Sequence, residues 1–214
     1  MSSKFETLND VTGIIHVGAC RGEEVGQYED MGAKTVIWVE PNPEVFKEMK
    51  HYLTSVGASI DSHAFEYAVS DVDHDTVDFY LYYGPDAAFM RGNKGCSSLL
   101  KAKGRFESWY QKTIKVETIT IDTLLSENNF KPSDFQVLNL DIQGAELLAL
   151  NGASEVLKHV KYVCTEATWQ NPDYVGNVMY DDLKLFLESK GFIETEIVNH
   201  GPDWGDALFV KEGL

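Results

Sequence analysis

The chain has 214 residues, of which 43% are hydrophobic, and its formal net charge is −16. This length and composition predict a single packed domain over residues 1–214 and exclude a disordered chain. A surface with so much negative charge repels phosphate backbones, which argues against a nucleic-acid partner.

The cysteines and the N-terminal residues bear on where the protein works. Cys20, Cys96 and Cys164 lie far apart with no C-x-x-C spacing, which is untypical of a disulfide framework or a zinc site. The first ten residues lack the apolar core of a signal peptide, and no apolar run approaches the length of a membrane span. We therefore expect a cytoplasmic protein with no membrane partner.

Apolar strands alternate with helical segments in the first third of the chain. Strands are predicted over residues 13–17, 35–39 and, more weakly, 59–65. A helix over residues 23–31 follows the first strand, and a helix opened by the P-N-P motif follows the second. This alternation is typical of a parallel α/β sheet.

The middle of the chain is less regular. An exposed strand is predicted over residues 76–82, turn residues dominate 84–103, and a strand over 115–120 precedes a short helix over 122–127. A core strand over 135–140 then ends at Asp141 and is followed by a helix. The buried pattern of the sheet therefore resumes after this irregular middle segment.

The sequence pattern of the last third of the chain predicts antiparallel pairing between its final two strands. A strand over residues 161–165 ends at Glu166, and an amphipathic helix follows over 180–190. Strands over 193–198 and 207–210 are joined by a loop too short for a crossover helix, so this last pair must be antiparallel.

The predicted fold class is therefore α/β, with an open, mostly parallel, Rossmann-like sheet and a C-terminal antiparallel hairpin. This is the usual core of methyltransferases that use S-adenosylmethionine. Ligands of such sheets bind beyond the carboxyl ends of the strands, so those ends carry the candidate site residues.

The first strand ends in a glycine turn, Gly18-Ala19-Cys20-Arg21-Gly22, followed by two glutamates. Glycine lets the backbone turn sharply and approach a ligand closely. The spacing matches neither the G-x-G-x-x-G of a dinucleotide site nor a phosphate loop, and the glutamates suit a cationic cofactor. The alternative interpretation is a simple tight turn.

The next two strand ends carry candidate nucleoside contacts. Glu40 ends the second strand, 22 residues after Gly18, where a carboxylate can accept hydrogen bonds from both hydroxyls of a ribose. An exposed acid before a proline-capped helix is the alternative. The third strand end, Tyr67-Ala68-Val69-Ser70-Asp71, is expected to flank an adenine, with the small Ala68 permitting ring contact.

The fourth and fifth strand ends carry acids suited to the reaction. Asp141, in N-L-D-I-Q-G-A-E, is expected to hold an ammonium group or to steer an acceptor hydroxyl; the alternative is helix N-capping. Glu166 and Trp169 are expected to face an acceptor pocket. Asp206 borders the same pocket or fixes the hairpin turn, and Glu146 is a ligand or a favourable helix-dipole charge.

Two histidines and one cysteine complete the candidates. His16 precedes the glycine turn closely enough to contact the cofactor or act as a base, or else it is a satisfied core residue. The same two interpretations apply to His200, which lies in the hairpin loop. Cys20 is excluded as a nucleophile because the neighbouring Glu23 and Glu24 oppose thiolate formation.

These segments resemble the FkbM family of S-adenosylmethionine-dependent methyltransferases. The similarity runs from about Gly13 to Lys211, and its most specific element is D-I-Q-G-A-E, similar to the family's D-V-E-G-x-E. The segments that carry it are IIHVGACRGEEVGQY, VIWVEPNPEVF, YAVSD, GCSSLL, VLNLDIQGAELLALNGA and WGDALFVK. The family often has an acid at His16, although one branch has histidine, and a glutamate at Gln143.

The resemblance implies a class I methyltransferase fold and methyl transfer to a hydroxyl of a sugar or another small molecule. The paired serines of the matching segment GCSSLL, Ser97 and Ser98, are expected to reach the cofactor or the acceptor. The expected catalytic residues are Asp141, Glu166 and His16. The expected S-adenosylmethionine contacts are His16, Gly18, Ala19, Cys20, Arg21, Glu40, Pro41, Ala68, Val69, Ser70, Asp141 and Ile142.

For the base that takes the acceptor proton, the order of preference is Asp141, Glu166, His16 and His200. No metal is expected, because Asp141 and Glu166 alone make too small a ligand set.

A nicotinamide-dependent oxidoreductase would need G-x-G-x-x-G and commonly Tyr-x-x-x-Lys, which are absent. A non-catalytic methyltransferase-like binding module is the other alternative. The aromatic segment R-F-E-S-W-Y-Q-K is a possible contact surface for a homodimer.

Overall fold

A computed structural model describes residues 8–83 and 95–213. Its strands are β1 (Gly13–Val17), β2 (Thr35–Val39), β3 (Asp61–Phe65), β4 (Ala68–Val69), β5 (Thr76–Tyr83), β6 (Tyr110–Ile119), β7 (Val137–Leu140), β8 (Tyr162–Thr168), β9 (Phe192–Asn199) and β10 (Trp204–Lys211). The helices are α1 (Val25–Asp30), α2 (Pro43–Ser55), α3 (Ile121–Glu127), α4 (Glu146–Asn151), α5 (Val156–His159) and α6 (Tyr180–Ser189). Short 3-10 helices cover Gly104–Phe106 and Pro132–Asp134.

Seven strands form the main sheet in the order β3-β2-β1-β7-β8-β10-β9. The first five run parallel, and β10 runs antiparallel to both β8 and β9. The predicted mostly parallel sheet and its C-terminal antiparallel hairpin are therefore confirmed. The carboxyl ends of β1, β2, β7 and β8 consequently lie side by side at one edge of the sheet.

Helices cover both faces of this sheet because its strands are apolar on both sides. On one face, Tyr28 of α1 and Met49 of α2 pack with Ile14 and Trp38 in one buried cluster. On the other face, the larger cluster joins Ile15 and Val17 of β1 to leucines of α3, α4 and α6. Two independent apolar layers therefore hold the strand ends in register.

Helix α2 begins at the P-N-P motif for a local reason. The Asn42 side chain accepts a hydrogen bond from the Glu44 amide, and Pro43 fills the first helical position. Proline suits that position because its missing N–H would have no partner there. This start places Glu40 and Pro41 in the short connection between β2 and α2.

A second sheet of three strands, in the order β4-β6-β5, lies between β3 and α3 in the sequence. Strand β4 pairs in parallel with β6, and β5 pairs with β6 antiparallel along eight residue pairs. Strand β6 is longer than the strand predicted over residues 115–120 because β5 supplies backbone partners as far as Tyr110. Of the predicted turn segment 84–103, residues 84–94 lie outside the described residues, and so does most of the N-terminal decapeptide.

Strand β8 extends beyond its predicted end. The parallel neighbour β7 stops opposite Thr165, but β10 continues to pair with β8 as far as Thr168. The prediction that Glu166 follows the end of its strand is therefore wrong, and Glu166 lies inside β8. In the described part of the chain, no helix combines the length and the apolar character that crossing a membrane requires.

Candidate active site

Three adjoining cavities form one cleft along the carboxyl edge of the sheet. The apolar pocket lies between the β1 and β2 ends and the small sheet, and Glu40, Tyr67, Val69, Phe79, Leu99 and Ile142 are among its lining residues. The middle cleft contains Gly18, Cys20, Asp141 and Glu166. The polar pocket contains Glu166, Thr168, Asn171, Asp173, Asp203 and Trp204.

The apolar pocket encloses about 580 Å³ of non-atom space, including its open mouth. Concave sites with mainly apolar walls and a few placed polar groups are typical of small-molecule sites. Gly18, Cys20 and Asp141 line both this pocket and the middle cleft. The polar pocket shares Arg105, Gln143, Glu166 and Trp204 with the same cleft.

Gly18 permits the close approach of the β1 and β7 ends. Its φ is +77°, and a Cβ at this position would lie 1.9 Å from the main-chain oxygen of Asp141. A side chain would thus clash with backbone, which cannot move aside as a flexible side chain can. Gly18 therefore brings the first turn against Asp141.

Glu40 is a buried carboxyl group held by backbone amides from two loops. Its Oε2 accepts a hydrogen bond from the Cys20 amide at 3.1 Å, and its Oε1 accepts one from the Asn42 amide at 2.8 Å. Burial raises the pKa of Glu40 to about 8, and the charge of Asp141 acts in the same direction. Glu40 fastens the glycine turn to the start of α2 and also lines the apolar pocket.

The turn after β7 is organised by Glu146. This side chain is only 2% exposed, and its Oε1 accepts hydrogen bonds from the amides of Ile142 and Gly144. Helix α4 has Ala145 as its N-cap, so N-capping by Asp141 is excluded. Burial raises the pKa of Glu146 to about 7. Asp141 is thereby left to face the cleft.

Asp141 and Glu166 are brought together by one amide. The Gln143 Nε2 donates to Asp141 Oδ1 at 2.8 Å and to Glu166 Oε2 at 2.6 Å. Burial, followed by the charges of Asp141, Glu146 and Asp206, holds the pKa of Glu166 well above its usual range. This arrangement can hold a proton between strands β7 and β8 beside the cleft.

The polar pocket is built from loops that are distant in the sequence. The Arg105 Nε lies 2.7 Å from Asp173 Oδ2, and its guanidinium carbon lies 4.6 Å from the Phe106 ring centre and 5.9 Å from that of Trp204. Arg105 is the only cation among the described residues that line this pocket, where Glu166, Asp173 and Asp203 are the acids. Its walls therefore suit an uncharged polar ligand better than an anion.

The structure brings most of the predicted cofactor contacts together. Those lining the apolar pocket are Gly18, Cys20, Glu40, Pro41, Ala68, Val69, Asp141 and Ile142, whereas Ala19 and Arg21 line the middle cleft. Ser70 lines none of these three cavities; its hydroxyl donates to Asp71 Oδ1 at 3.2 Å. Of the paired serines, Ser97 lines the apolar pocket, and Ser98 is buried behind the Gln143 carbonyl.

His16 lies within the sheet and away from the cleft. It is 2% exposed, its Nδ1 lies 3.1 Å from the Tyr28 hydroxyl, and its ring centre lies 5.5 Å from that of Trp38. His16 is absent from the residues that line the three cavities. The geometry therefore favours the core-residue interpretation over contact with a cofactor or acceptor.

Three further predicted residues take structural positions. His200 Nε2 lies 2.7 Å from Asp206 Oδ2, which ties the hairpin loop to β10. Trp169 stacks on Tyr180 at 5.5 Å and packs against the main core cluster, and it is not among the residues that line the polar pocket. Trp204 does line the polar pocket, because β10 begins there, paired with Thr168 at the end of β8.

The Cys20 thiol remains protonated, in agreement with its exclusion as a nucleophile. Burial and then the charge of Glu40 raise its pKa to about 12. Within the described ranges, no group of three or more His, Cys, Asp and Glu side chains is arranged to hold a metal ion.

Sequence reasoning missed Arg105, Tyr174 and the bridging role of Gln143. Arg105 and Tyr174 lie in irregular segments with no periodic pattern, so only their positions in space reveal them. Gln143 carried one usable signal, its position two residues after Asp141 in a predicted turn.

Comparison with known proteins identifies a family for this arrangement. The family profile described as a methyltransferase FkbM domain matches residues 16–194. None of the curated proteins matches the chain.

Solved structures with similar folds include two methyltransferases. Magnesium protoporphyrin IX methyltransferase from Synechocystis PCC 6803, with bound S-adenosylmethionine, has a TM-score of 0.52 and 7% identity, covering 96% of this chain and 72% of that one. A putative tRNA (m1A22) methyltransferase from Streptococcus pneumoniae, in complex with S-adenosylmethionine, has a TM-score of 0.53 and 12% identity, covering 96% and 68%. At such identities the likeness shows the fold alone.

Proposed function

Because the chain belongs to the FkbM family of methyltransferases, we propose that it transfers a methyl group from S-adenosylmethionine to a hydroxyl oxygen of a small polar acceptor, such as a sugar. The observation that carries this proposal is the continuous cleft. An apolar pocket at one end and a polar pocket at the other meet at Asp141, Gln143 and Glu166.

The apolar pocket fits the nucleoside part of the cofactor. Glu40 would accept hydrogen bonds from the ribose hydroxyls, since each of its oxygens retains accepting capacity beyond one backbone amide. The apolar walls formed by Val69, Phe79 and Ile142 would enclose the adenine. Binding at this end therefore combines one fixed carboxyl group with apolar burial.

The glycine turn and Asp141 fit the methionine part. Gly18 leaves no side chain between the backbone and the cleft, and the chemistry of Asp141 suits an ammonium group. When bound, the cofactor supplies a methyl group on a positively charged sulfur. The chain's own residues align the acceptor and take its proton.

Glu166, which Gln143 holds beside Asp141, is the group proposed to accept that proton. Both carboxyl groups border the middle cleft, between the two pockets. The raised pKa of Glu166 makes its carboxylate a stronger base than an ordinary glutamate. We assign His16 and His200 no part in this step, because His16 is buried in the sheet and His200 is bound to Asp206.

The polar pocket supports a hydroxyl-rich, uncharged acceptor. Thr168 and Asn171 place side-chain hydrogen-bonding groups along it, and the Trp204 ring provides an apolar surface for the C–H face of a sugar. Its acids disfavour carboxylate or phosphate groups on the acceptor.

Calorimetric titration of S-adenosylmethionine tests the cofactor assignment, with NADH titrated in parallel. Glu40→Ala should weaken S-adenosylmethionine binding by about tenfold or more, because a ribose hydrogen-bond acceptor is lost. The matched control is Glu66→Ala, since Glu66 directly follows β3 as Glu40 follows β2 but is exposed. Binding of NADH alone would refute the proposal.

Mass spectrometry of reactions with a panel of neutral sugars and polyols tests the transfer. A product 14 Da heavier that forms only with S-adenosylmethionine would support O-methylation once the modified atom is located. If the cofactor binds but no neutral, anionic or cationic acceptor is methylated, the protein is a binding module instead.

A further inference from the structure

The side-chain amide of Gln143 lies among polar groups of the site, and the Tyr174 hydroxyl near its oxygen also donates to the Cys96 main-chain oxygen at 2.6 Å. The two amide hydrogens of Gln143 serve Asp141 and Glu166, and its Oε1 lies 3.2 Å from the Tyr174 hydroxyl. Its main-chain oxygen accepts from the buried Ser98 hydroxyl at 2.9 Å. One residue thus joins the β7 turn to β8, to the segment before Leu99 and to the loop after β8.

The backbone of Gln143 is shaped to make these contacts. Its φ is +57°, in the left-handed region that non-glycine residues seldom occupy, and Gly144 follows at +94°. Such a conformation is costly for a residue with a side chain and persists when surrounding contacts determine it. Here the contacts are the four hydrogen-bonding groups around Gln143.

Several titratable or charged groups surround the Asp141–Glu166 pair. Tyr174 and Cys96 approach from the loops; burial raises the pKa of each, and the Glu166 charge adds to both shifts. The other groups are Glu146 from the β7 turn, Asp206 of β10 with its partner His200, and Glu40 beyond Asp141. Arg105, Arg21, Glu23 and Glu24 line the middle cleft, and Asp173 and Asp203 line the polar pocket beside Glu166. Because most are acidic or neutral, a donor placed between the two carboxyl groups has a large effect on the ionisation of Glu166.

We infer that Gln143 is a positioning residue that holds Glu166 beside Asp141 and sets the pH at which Glu166 ionises. The inference rests on the proposed function. A neutral amide donates to both carboxylates without adding charge. A glutamate at this position would add a third carboxyl group, and a leucine would leave both acids without their donor.

The test requires no knowledge of the acceptor. The affinity for S-adenosylmethionine and the protons released on binding are measured by calorimetry from pH 5.5 to 9, in buffers with different ionisation enthalpies. A cation bound nearby favours the ionised form of Glu166, so a proton is released on binding where Glu166 is protonated in the ligand-free protein.

Gln143→Glu and Gln143→Leu should each move the midpoint of this proton release upward by about one pH unit or more. The matched control is Gln111→Glu, which adds the same charge at an exposed position on β6 and should leave the midpoint unchanged. Unchanged midpoints in both Gln143 variants would overturn the inference even if their affinities fell, because a purely structural role would not predict the shift.

Carbon-13 NMR of the ligand-free wild-type protein provides a second measurement that does not depend on variant folding. The side-chain amide signals of Gln143 should shift with the same midpoint as the Glu166 carboxyl signal. Gln143 amide chemical shifts that stay constant while the Glu166 carboxyl titrates would also overturn the inference. Failure of the wild-type protein to bind S-adenosylmethionine would refute the proposed function, while the NMR titration would still decide the role of Gln143.

Discussion

The two ends of the cleft are built in different ways. The apolar pocket draws its polar contacts from strand ends and from backbone amides that hold Glu40. The polar pocket draws its groups from side chains in separate loops, including Arg105, Asp173 and Trp204. The first end thus depends on backbone shape and the second on the packing of loops, so substitutions should separate the two.

The largest expected effect comes from Gly18→Ala at the apolar end. The new Cβ would clash with the Asp141 main-chain oxygen, and the positive φ would be strained. We expect cofactor affinity to fall by about a hundredfold and stability by at least about 2 kcal/mol. Calorimetry and urea unfolding measure the two quantities.

Gly26→Ala is the matched control for that substitution. Gly26 lies within α1, and a Cβ there would meet nothing within 4 Å. Alanine should stabilise the protein by about 0.5–1 kcal/mol because it restricts the unfolded chain and favours helix. Equal losses in the two variants would contradict the role assigned to the Gly18 turn.

The second effect distinguishes two tryptophans near the polar end. Trp204→Ala should reduce turnover of the acceptor by about tenfold or more, while cofactor affinity stays within about twofold. Trp169→Ala should mainly lower stability, by about 2–3 kcal/mol, since Trp169 packs on Tyr180 and the core. Steady-state kinetics and thermal unfolding measure these outcomes, and a reversed pattern would contradict the assignment of the polar pocket.

A smaller effect is expected in the pH dependence of folding stability, to which Glu40 at the apolar end contributes. Glu40 and Glu146 have pKa values raised to about 8 and about 7 in the folded protein. The folded state therefore holds protons that the unfolded state has released, and stability should fall as pH rises from about 4.5 to about 8. The slope is at most about 1.4 kcal/mol per pH unit for each such proton.

Glu40→Gln should flatten this pH dependence without removing it, because Glu146 and Glu166 remain. Denaturant unfolding at pH 5, 6.5 and 8 measures the slope in both proteins. The same slope in wild type and variant would show that Glu40 is not protonated in the folded protein.

The amino-acid pattern predicted the elements that depend on local chemistry. Buried β-branched runs, the prolines before α2 and the short final loop were sufficient for the main sheet and its antiparallel hairpin. The ends of strands were predicted well where the parallel neighbour ends at the paired residue. Strand β8 was the exception, because its length depends on the later strand β10.

Side-chain direction within the elements could not be predicted in the same way. His16 and Val17 are adjacent in β1, yet Val17 belongs to one core face and His16 packs with Tyr28 and Trp38 on the other. Proximity to the turn suggested a site role for His16, but the alternation of side chains along a strand directs it into the interior.

By itself, the sequence determined the order of the strands' apolar runs, the glycine turn and the acids near the carboxyl edge, because these follow from short-range spacing and burial. Only the tertiary structure decided that Gln143 lies between Asp141 and Glu166, and that Trp204 rather than Trp169 faces the polar pocket. Those positions arise where segments distant in the chain pack together. Such contacts depend on the whole fold and leave no periodic pattern in any one segment.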